Sequence, residues 1–491
     1  MTIIKRLKSL LFENKGLRQT ITKNVFWLSI SQFGSRLIRA VIIIYAARAL
    51  GTAEYGVFSY LLGLAGFFTI FGDIGINQII TREMAKKPER QSIYFSTAFW
   101  MKIFLFLITA ILIIFIAPYF SKIEKVNQLI YIVALIMVFD GLREFCLTLF
   151  RAKEKMELEA LIMILTNTAI TAFGFIALYF YIDSQSLALS YAIATAIGAL
   201  AAIIILKSEF KTIISKFDKN LIVPIIGSAW PILLTGIIGA LMFNTDIIML
   251  GWWKTAEEIG VYSASQKIVL LLYALPAILA SAFFPALSRL IGKGDNNKIK
   301  ELMEKSVSVV FFIAVPLAIG GVILGKPIIE LIYGKEYLPS VPIFQILIAT
   351  SFIIFPSTLI ANALVAYNQQ KKLGLYTAIG AGANVALNAV MIPLYGAIGA
   401  AAATFISQYA NNIPAWRLIK KINNFHIFRH LKKITAGAII MGGFSFVFDK
   451  SGVNVIINMI ISAGIYFGIL YLLKEKIIDE VKIIFIRAIK K

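Results

Sequence analysis

Apolar residues follow one another along this chain in blocks of about twenty, the length that an α-helix needs to cross a bilayer core. Short polar breaks separate the blocks. The pattern predicts an all-α membrane protein with fourteen transmembrane helices. We expect these helices to begin near Thr22, Tyr55, Ile93, Asn127, Leu158, Leu187, Leu221, Glu258, Ser306, Val341, Leu373, Gly396, Leu431 and Asn454.

The polar breaks alternate in charge. Every second break is rich in Lys and Arg, and this set covers residues 82–90, 151–155, 207–219, 289–305, 371–372 and 417–433. Both termini belong to the basic set. Because basic loops stay on the cytoplasmic side, the alternation predicts a multi-pass protein of the plasma or inner membrane with both termini in the cytoplasm.

Composition agrees with this class of protein. Of the 491 residues, 59% are hydrophobic and 15% are charged, well below the roughly 25% charged residues of soluble domains. The net charge of +22 resides mainly in the loops, and no soluble domain is left to form a nucleic-acid groove. The single cysteine, Cys146, and the loop histidines His426 and His430 predict no metal site, and no cofactor motif is present.

A short motif occurs twice. GTAEYGVFSY (51–60) follows the first span, and KTAEEIGVYSA (254–264) follows the seventh, at an offset of 204 residues. Six helices fit in that offset, so the two copies have the same orientation in the membrane, which predicts two parallel six-helix lobes. The alternative is a chance match between two outer loops. The predicted parts are an amphipathic cytoplasmic segment (1–21), an N-lobe (22–206), a C-lobe (207–416), and two further helices with a basic tail (417–491).

Few charged residues lie inside the spans, because inserting a charge into the bilayer core costs free energy. Five basic residues lie well within them: Arg36, Arg39, Lys102, Arg143 and Lys267. A charge at the bilayer centre costs roughly 2.5–3.5 kcal/mol on insertion scales, so it usually faces water or a partner.

The stretch SISQFGSRLIRAVIII (29–44) carries two of these cations. On an ideal helix, Ser29, Gln32, Arg36 and Arg39 fall on one side, which predicts a polar stripe on the first helix. Two interpretations stay open for Arg36, Arg39 and Lys267: a cation-lined substrate cavity, or pairing with Asp73 or Asp246 across the bundle.

Other spans also carry polar faces. A ridge of four residues recurs every four positions in the second span: Thr69, Asp73, Asn77 and Thr81. In the eighth span, Ser263, Gln266 and Lys267 share one face. The trio Asp140, Arg143 and Glu144 is predicted to neutralise itself within one helix. Lys102 has two interpretations: its side chain extends to the membrane surface, or it lines the cavity.

Three stretches carry a family resemblance. The first is RALGTAEYGVFSY (48–60) with FGDIGINQIITRE (71–83), and the second is EIGVYSASQKIVLLLYALPAILASAFFPALSRL (258–290). The third is LNAVMIPLYGAIGAAAATFISQ (387–408). Together they resemble the polysaccharide and lipid-linked oligosaccharide flippases of the MOP transporter superfamily.

The resemblance implies a V-shaped bundle of two six-helix lobes with a central cavity and alternating access. It implies transport of a polyprenyl-diphosphate-linked saccharide from the cytoplasmic to the outer leaflet, in contact with membrane lipids. Basic cavity positions bind substrate in this family, and Arg36, Arg39 and Lys267 match them. Arg48, at the outer rim where the repeated motif opens, is either a further site residue or a loop anchor. Asp73, Asn77, Gln32 and Asp246 are the polar candidates for the cavity or for ion coupling, with H+ or Na+ as the candidate ion.

Two other functions remain open at this point. A multidrug or cation antiporter of the MATE type would need a cavity dominated by acidic residues, whereas this one is predicted to be basic. A membrane-embedded glycan polymerase or ligase would present a large outer loop, and the longest outer gap, near 326–340, is short. The sequence therefore favours a transporter without enzymatic activity.

Overall fold

A glycine separates the first two predicted spans. In the computed structural model, which describes residue 13 and residues 16–475, helix Ser35–Asp73 contains Gly51 at φ 71° and ψ 177°. Helix Gln370–Ile422 contains Gly396 at φ 58° and ψ −137° in the same way. L side chains rarely adopt a positive φ, so glycine is the residue that allows the chain to leave the helix at both points.

The described residues form helices and no strands. In chain order the α-helices are α1 Leu17–Ser29, α2 Ser35–Asp73, α3 Ile76–Lys86, α4 Gln91–Ile116, α5 Glu124–Gln128, α6 Ile130–Ala152, α7 Met156–Phe180, α8 Ser184–Ile205, α9 Lys207–Phe210, α10 Ile222–Trp253, α11 Ala256–Leu272, α12 Ala274–Lys293, α13 Asn296–Ile323, α14 Gly325–Tyr333, α15 Ser340–Ala349, α16 Ser351–Ala366, α17 Gln370–Ile422, α18 Phe428–Lys450 and α19 Val455–Leu472.

Eleven helices of the described part are long and apolar enough to cross a membrane. Two of them, Gln19–Asp73 and Gln370–Ile422, contain the glycine breaks and each cover two predicted spans. The predicted fourth span corresponds to α6, which carries several charges and lies outside the eleven. The chain is thus a multi-pass helical membrane protein, and the number of fourteen crossings stays a prediction.

The chain divides into two compact units, one extending to Gly260 and the other beginning at Val261. The boundary falls inside α11. Helix α10, assigned to the C-lobe from the sequence, packs on α2 within the first unit, where Ile247 lies against Gly63. The predicted lobe boundaries remain a prediction. Most of the predicted amphipathic segment 1–21 and the tail after Glu475 lie outside the described residues.

Each unit has its own apolar core. In the first unit, aromatic rings of α4 and α6 stack, with the centroids of Phe95 and Phe145 4.8 Å apart. In the second, α13 packs against α18 and α19, and the Tyr466 hydroxyl donates to the Phe312 carbonyl at 3.0 Å. Because lipid tails are as apolar as these side chains, van der Waals packing and interhelical hydrogen bonds hold the membrane helices of each unit together.

A second interruption lies between α2 and α3. Ile74 has φ 44° and Gly75 has φ 84°, so two consecutive residues are left-handed. For a β-branched residue such as Ile74 this conformation is a genuine outlier that the surrounding packing must hold. The break places Asp73 at the end of α2, where its Oδ1 accepts the backbone N–H of Asn77 at 3.2 Å.

Candidate functional site in the first unit

Arg39 is held by two neighbouring helices of the first unit. Its Nε donates to Oδ1 of Asn167 at 2.8 Å, and its guanidinium carbon lies 5.5 Å from the ring centroid of Tyr191. A planar guanidinium suits this combination of a directed hydrogen bond and a ring face. Arg39 is half-buried. Its orientation is thus fixed by uncharged groups.

Arg36 and Gln32 are exposed on the same helical run, and Arg48 is exposed near its end. Within the described part of the chain, no ion pair includes Arg36 or Arg39. The alternative in which either arginine pairs with Asp73 is therefore not realised. Two guanidinium groups on one helix thus lie without a carboxylate of the described chain at ion-pair distance.

The first helix is not a regular α-helix at this point. Residues Ile30–Gly34 form a π-helical turn directly before Arg36. A π-turn holds more residues per turn than an α-helix, so the ideal spacing that placed Ser29, Gln32, Arg36 and Arg39 on one stripe does not apply across it. Such turns often occur at functional sites.

Arg143 forms a charge network with its own helix. Its Nη2 lies 2.8 Å from Asp140 Oδ1 and 3.0 Å from Glu144 Oε1, as the sequence predicts for this trio. The network continues to Arg151, whose Nη2 lies 3.3 Å from Glu144 Oε2 and 2.7 Å from Glu159 Oε1. Because Arg143 is 3% exposed, the pairing compensates a charge that would otherwise be very costly to bury.

Lys102 pairs with Asp73. Its Nζ lies 2.8 Å from Asp73 Oδ1 and 4.9 Å from the ring centroid of Phe106, and its side chain is 1% exposed. Extension of Lys102 to the membrane surface, one of the two sequence interpretations, is thus wrong. The ammonium instead binds the carboxylate at the break between α2 and α3, where backbone geometry presents it.

A polar cavity of about 530 Å³ opens beside this ion pair. Nine polar side chains and Gly141 line it. All four residues of the predicted ridge are among them: Thr69, Asp73, Asn77 and Thr81. Lys102, Glu144 and Arg151 complete the wall from α4 and α6. The helix break therefore joins the ridge on α2 and α3 to charges on two other helices.

The rim of the cavity lies near the basic break after the second span. Arg82 lines it and is 52% exposed, and its Nε donates to Glu83 Oε1 at 2.9 Å. Burial raises the pKa of Glu83, but the hydrogen bond from Arg82 and the charge of Lys86 outweigh it, so that the net pKa is lowered. Glu83 thus keeps Arg82 neutralised at neutral pH.

Lys267 and Asp246 lie elsewhere. Lys267 is half-buried on α11 in the second unit, and Asp246 is 2% exposed on α10 in the first. The structure places Lys267 and the two arginines in different units, and their gathering around one substrate stays a prediction.

The second unit contains an apolar cavity of about 450 Å³. Its wall comes from helices α11, α13, α14, α15, α18 and α19 and includes Leu317, Ile348, Met459 and Phe467. The polar groups in its wall are the hydroxyls of Ser445, Ser462 and Tyr466. This chemistry suits a hydrocarbon chain.

The family model described as polysaccharide biosynthesis protein matches residues 21–291, more than half of the chain. The chain belongs to this family. A MatE model also matches, over residues 231–390, so the predicted membership in the MOP superfamily is confirmed.

The chain is similar to proteins that are named as a flippase and as a transporter. It is 23% identical to the probable low-salt glycan biosynthesis flippase Agl15 of Haloferax volcanii, over 87% of this chain and 89% of that protein. It is 22% identical to the putative O-antigen transporter of Shigella flexneri, over 78% and 93% of the two chains. It is thus a transporter-type membrane protein of glycan biosynthesis.

Solved structures show the same fold. A lipid II flippase MurJ in an inward closed conformation superimposes with a TM-score of 0.75 at 18% identity, covering 92% of this family member and all of that chain. A multidrug resistance MATE family transporter in its inward-facing conformation gives 0.62 at 13% identity, over 81% and 98%. The family member therefore has a MurJ- and MATE-like helical fold.

Sequence reasoning missed two residues of this site. Asn167 and Tyr191 position Arg39, and neither belongs to a motif. The signal that was available is the isolated amide of Asn167 inside an apolar span, which would be costly without a partner. Tyr191 carries no comparable signal, because tyrosines are common in membrane helices.

Proposed function

We propose that this protein moves a polyprenyl-diphosphate-linked oligosaccharide, a polysaccharide repeat unit, from the cytoplasmic to the outer leaflet by alternating access. The observation that carries the proposal is the pair Arg36 and Arg39, which no carboxylate of the described residues neutralises. A diphosphate is an anion whose oxygens match the planar donor geometry of guanidinium groups. Family membership supports the same class of substrate.

The apolar cavity of the second unit is the candidate site for the lipid part of the substrate. The apolar cavity of about 450 Å³ there is lined almost entirely by aliphatic and aromatic side chains. A polyprenyl chain carries no polar group, so its transfer into such a cavity costs no hydrogen bonds. The proposal thus names this cavity as the candidate for a polyprenyl chain.

Topology and energy supply are part of the proposal. The basic breaks favour cytoplasmic termini, which would place the rim at Arg82 on the side where a lipid-linked repeat unit is made. An ion gradient of H+ or Na+, or the gradient of the substrate itself, would drive the movement. Lys267 and Arg48 would add positive charge along the path.

Complementation of glycan export tests the function. Arg36→Ala and Arg39→Ala are expressed in a strain that lacks its own flippase, with Arg417→Ala as the control because Arg417 is also exposed and outside the candidate site. We expect both site variants to lose most export at normal protein level and the control to keep it. Normal export by both site variants would contradict the proposal.

The MATE-type antiporter remains the second candidate because the MatE model matches residues 231–390. Its test is a drug-resistance assay in a sensitive strain. Resistance that depends on the protein, without restored glycan export, would favour the antiporter over the flippase.

A further inference from the structure

The polar cavity beside α2 and α3 differs in chemistry from the two arginines on the first helix. Its three lining cations are already paired at short distance: Lys102 with Asp73 at 2.8 Å, Arg151 with Glu159 at 2.7 Å, and Arg82 with Glu83 at 2.9 Å. A diphosphate there would share each cation with a carboxylate, whereas Arg36 and Arg39 have no carboxylate of the described residues at ion-pair distance. The cavity is therefore a poor site for the charged part of the substrate.

Three side-chain oxygens of the cavity wall can accept hydrogen bonds from a ligand, those of Asn77, Thr69 and Thr81. Asn77 Oδ1 is buried without a partner in the described part of the chain. The hydroxyls of Thr69 and Thr81 donate to the backbone carbonyls of Ala65 and Asn77, both at 2.7 Å, so they have only acceptor lone pairs left. A phosphate brings further acceptors, whereas a sugar hydroxyl brings a donor.

Size separates a sugar from an inorganic ion. The volume of about 530 Å³ lies within the roughly 300–1,000 Å³ of small-molecule sites and far exceeds the roughly 30 Å³ that one water occupies. A sugar ring carries several hydroxyls that each donate and accept, so it can bind to Asn77 and to ion-paired side chains without separating the pairs.

The cavity is linked to Arg39 through side chains of the first unit. Glu144 lines the cavity and accepts from Arg143 at 3.0 Å. Arg143 packs against Gly198 of α8, the helix that carries Tyr191, whose ring lies under Arg39. We propose that this cavity binds the uncharged, hydroxyl-rich sugar part of the substrate, an inference that rests on the proposed function.

The test uses the full-length protein in detergent micelles and isothermal titration calorimetry. The probes are methyl glycosides of glucose, galactose, mannose and N-acetylglucosamine, with sodium pyrophosphate and sodium chloride as separate arms. The double variant Asn77→Ala/Thr81→Val removes two acceptors of the cavity. Its matched control is Asn362→Ala/Thr358→Val, the same residue types at the same four-residue spacing in the second unit.

We expect at least one glycoside to bind the wild type saturably and the cavity variant to weaken it by about tenfold or more, while pyrophosphate binding stays unchanged. Gln78→Trp, which fills the cavity and leaves its charges in place, should have the same effect. The control variant should bind like the wild type.

Three results would overturn the inference: no glycoside binds saturably, cavity and control variants bind alike, or sodium alone accounts for the heat. Pyrophosphate binding that persists in these cases leaves the flippase proposal standing. If Arg39→Ala left both pyrophosphate binding and glycan export unchanged, the proposed function itself would be contradicted.

Discussion

Gly56 and Gly260 allow two helices to approach each other at a distance that excludes any side chain. A Cβ at Gly56 would lie 1.7 Å from the carbonyl oxygen of Ala256, and a Cβ at Gly260 would lie 1.9 Å from that of Thr52. The two contacts are reciprocal and obey the 204-residue offset of the repeated motif. Equivalent residues of the two motif copies thus make equivalent contacts, Gly56 with Ala256 and Gly260 with Thr52.

The first prediction concerns this contact. Gly56→Ala and Gly260→Ala each force a carbonyl group to move, and overpacking of this kind costs about 1–3 kcal/mol or more. We expect a lower midpoint of thermal unfolding in detergent for each variant. Gly227→Ala is the control, because a Cβ there meets nothing within 4 Å. Equal midpoints for all three variants would show that the helices separate without cost.

The second prediction concerns the ion pair between Lys102 and Asp73. Removal of one partner from a buried pair costs roughly 3–5 kcal/mol because the other charge is left alone. Since Asp73 is 20% exposed, Asp73→Asn, which strands the buried ammonium, should destabilise more than Lys102→Met. The double variant should recover part of the loss in a double-mutant cycle, as measured by thermal unfolding. Additive losses would argue against a direct interaction.

The third prediction separates the charge of Arg39 from its shape. Arg39→Lys keeps a positive charge but loses the planar group that binds Asn167 and covers Tyr191. We expect glycan export to fall severalfold in Arg39→Lys and further in Arg39→Ala. Asn167→Ala, which frees the guanidinium, should give an intermediate loss. Full export by Arg39→Lys would mean that charge alone suffices.

The fourth prediction concerns pH. Lys153 Nζ lies 2.7 Å from Glu209 Oε1, and the Ser92 hydroxyl donates to Glu209 Oε2 at 3.0 Å. Burial raises the pKa of Glu209, but Lys153 and Ser92 outweigh it, so the pKa falls below its usual 4.5. A lowered folded pKa contributes stability above pH 4.5 and loses it as the pH falls through the folded value.

Glu209→Gln should therefore have a lower free energy of unfolding than the wild type at pH 7 and unfold at a lower temperature. The loss should be no more than about 1 kcal/mol, because the pair is partly exposed. The difference should shrink steadily below pH 4.5. Glu301→Gln is the control, since Glu301 is 63% exposed beside Lys305. A difference that stays constant down to pH 3 would exclude the ion pair as its cause.

The polar ridge was predictable from residue spacing, but the helix break within it and the ion-pair partner of Asp73 were not. Thr69, Asp73, Asn77 and Thr81 recur every four residues, and all four line one cavity. The left-handed Ile74 interrupts the helix between them, a conformation that no propensity of isoleucine indicates. The partner of Asp73 is Lys102, 29 positions along the chain, and tertiary packing alone selects it over the arginines of the first helix.

The sequence by itself determined the class of protein, the apolar segments and the family, because hydrocarbon thickness and loop charge act on each segment separately. Tertiary structure alone decided that Lys102 neutralises Asp73, that Asn167 and Tyr191 hold Arg39, and that α10 packs in the first unit. The physical reason is that an ion pair or a cavity depends on distances of a few ångströms between helices, and periodicity along one helix does not encode these distances.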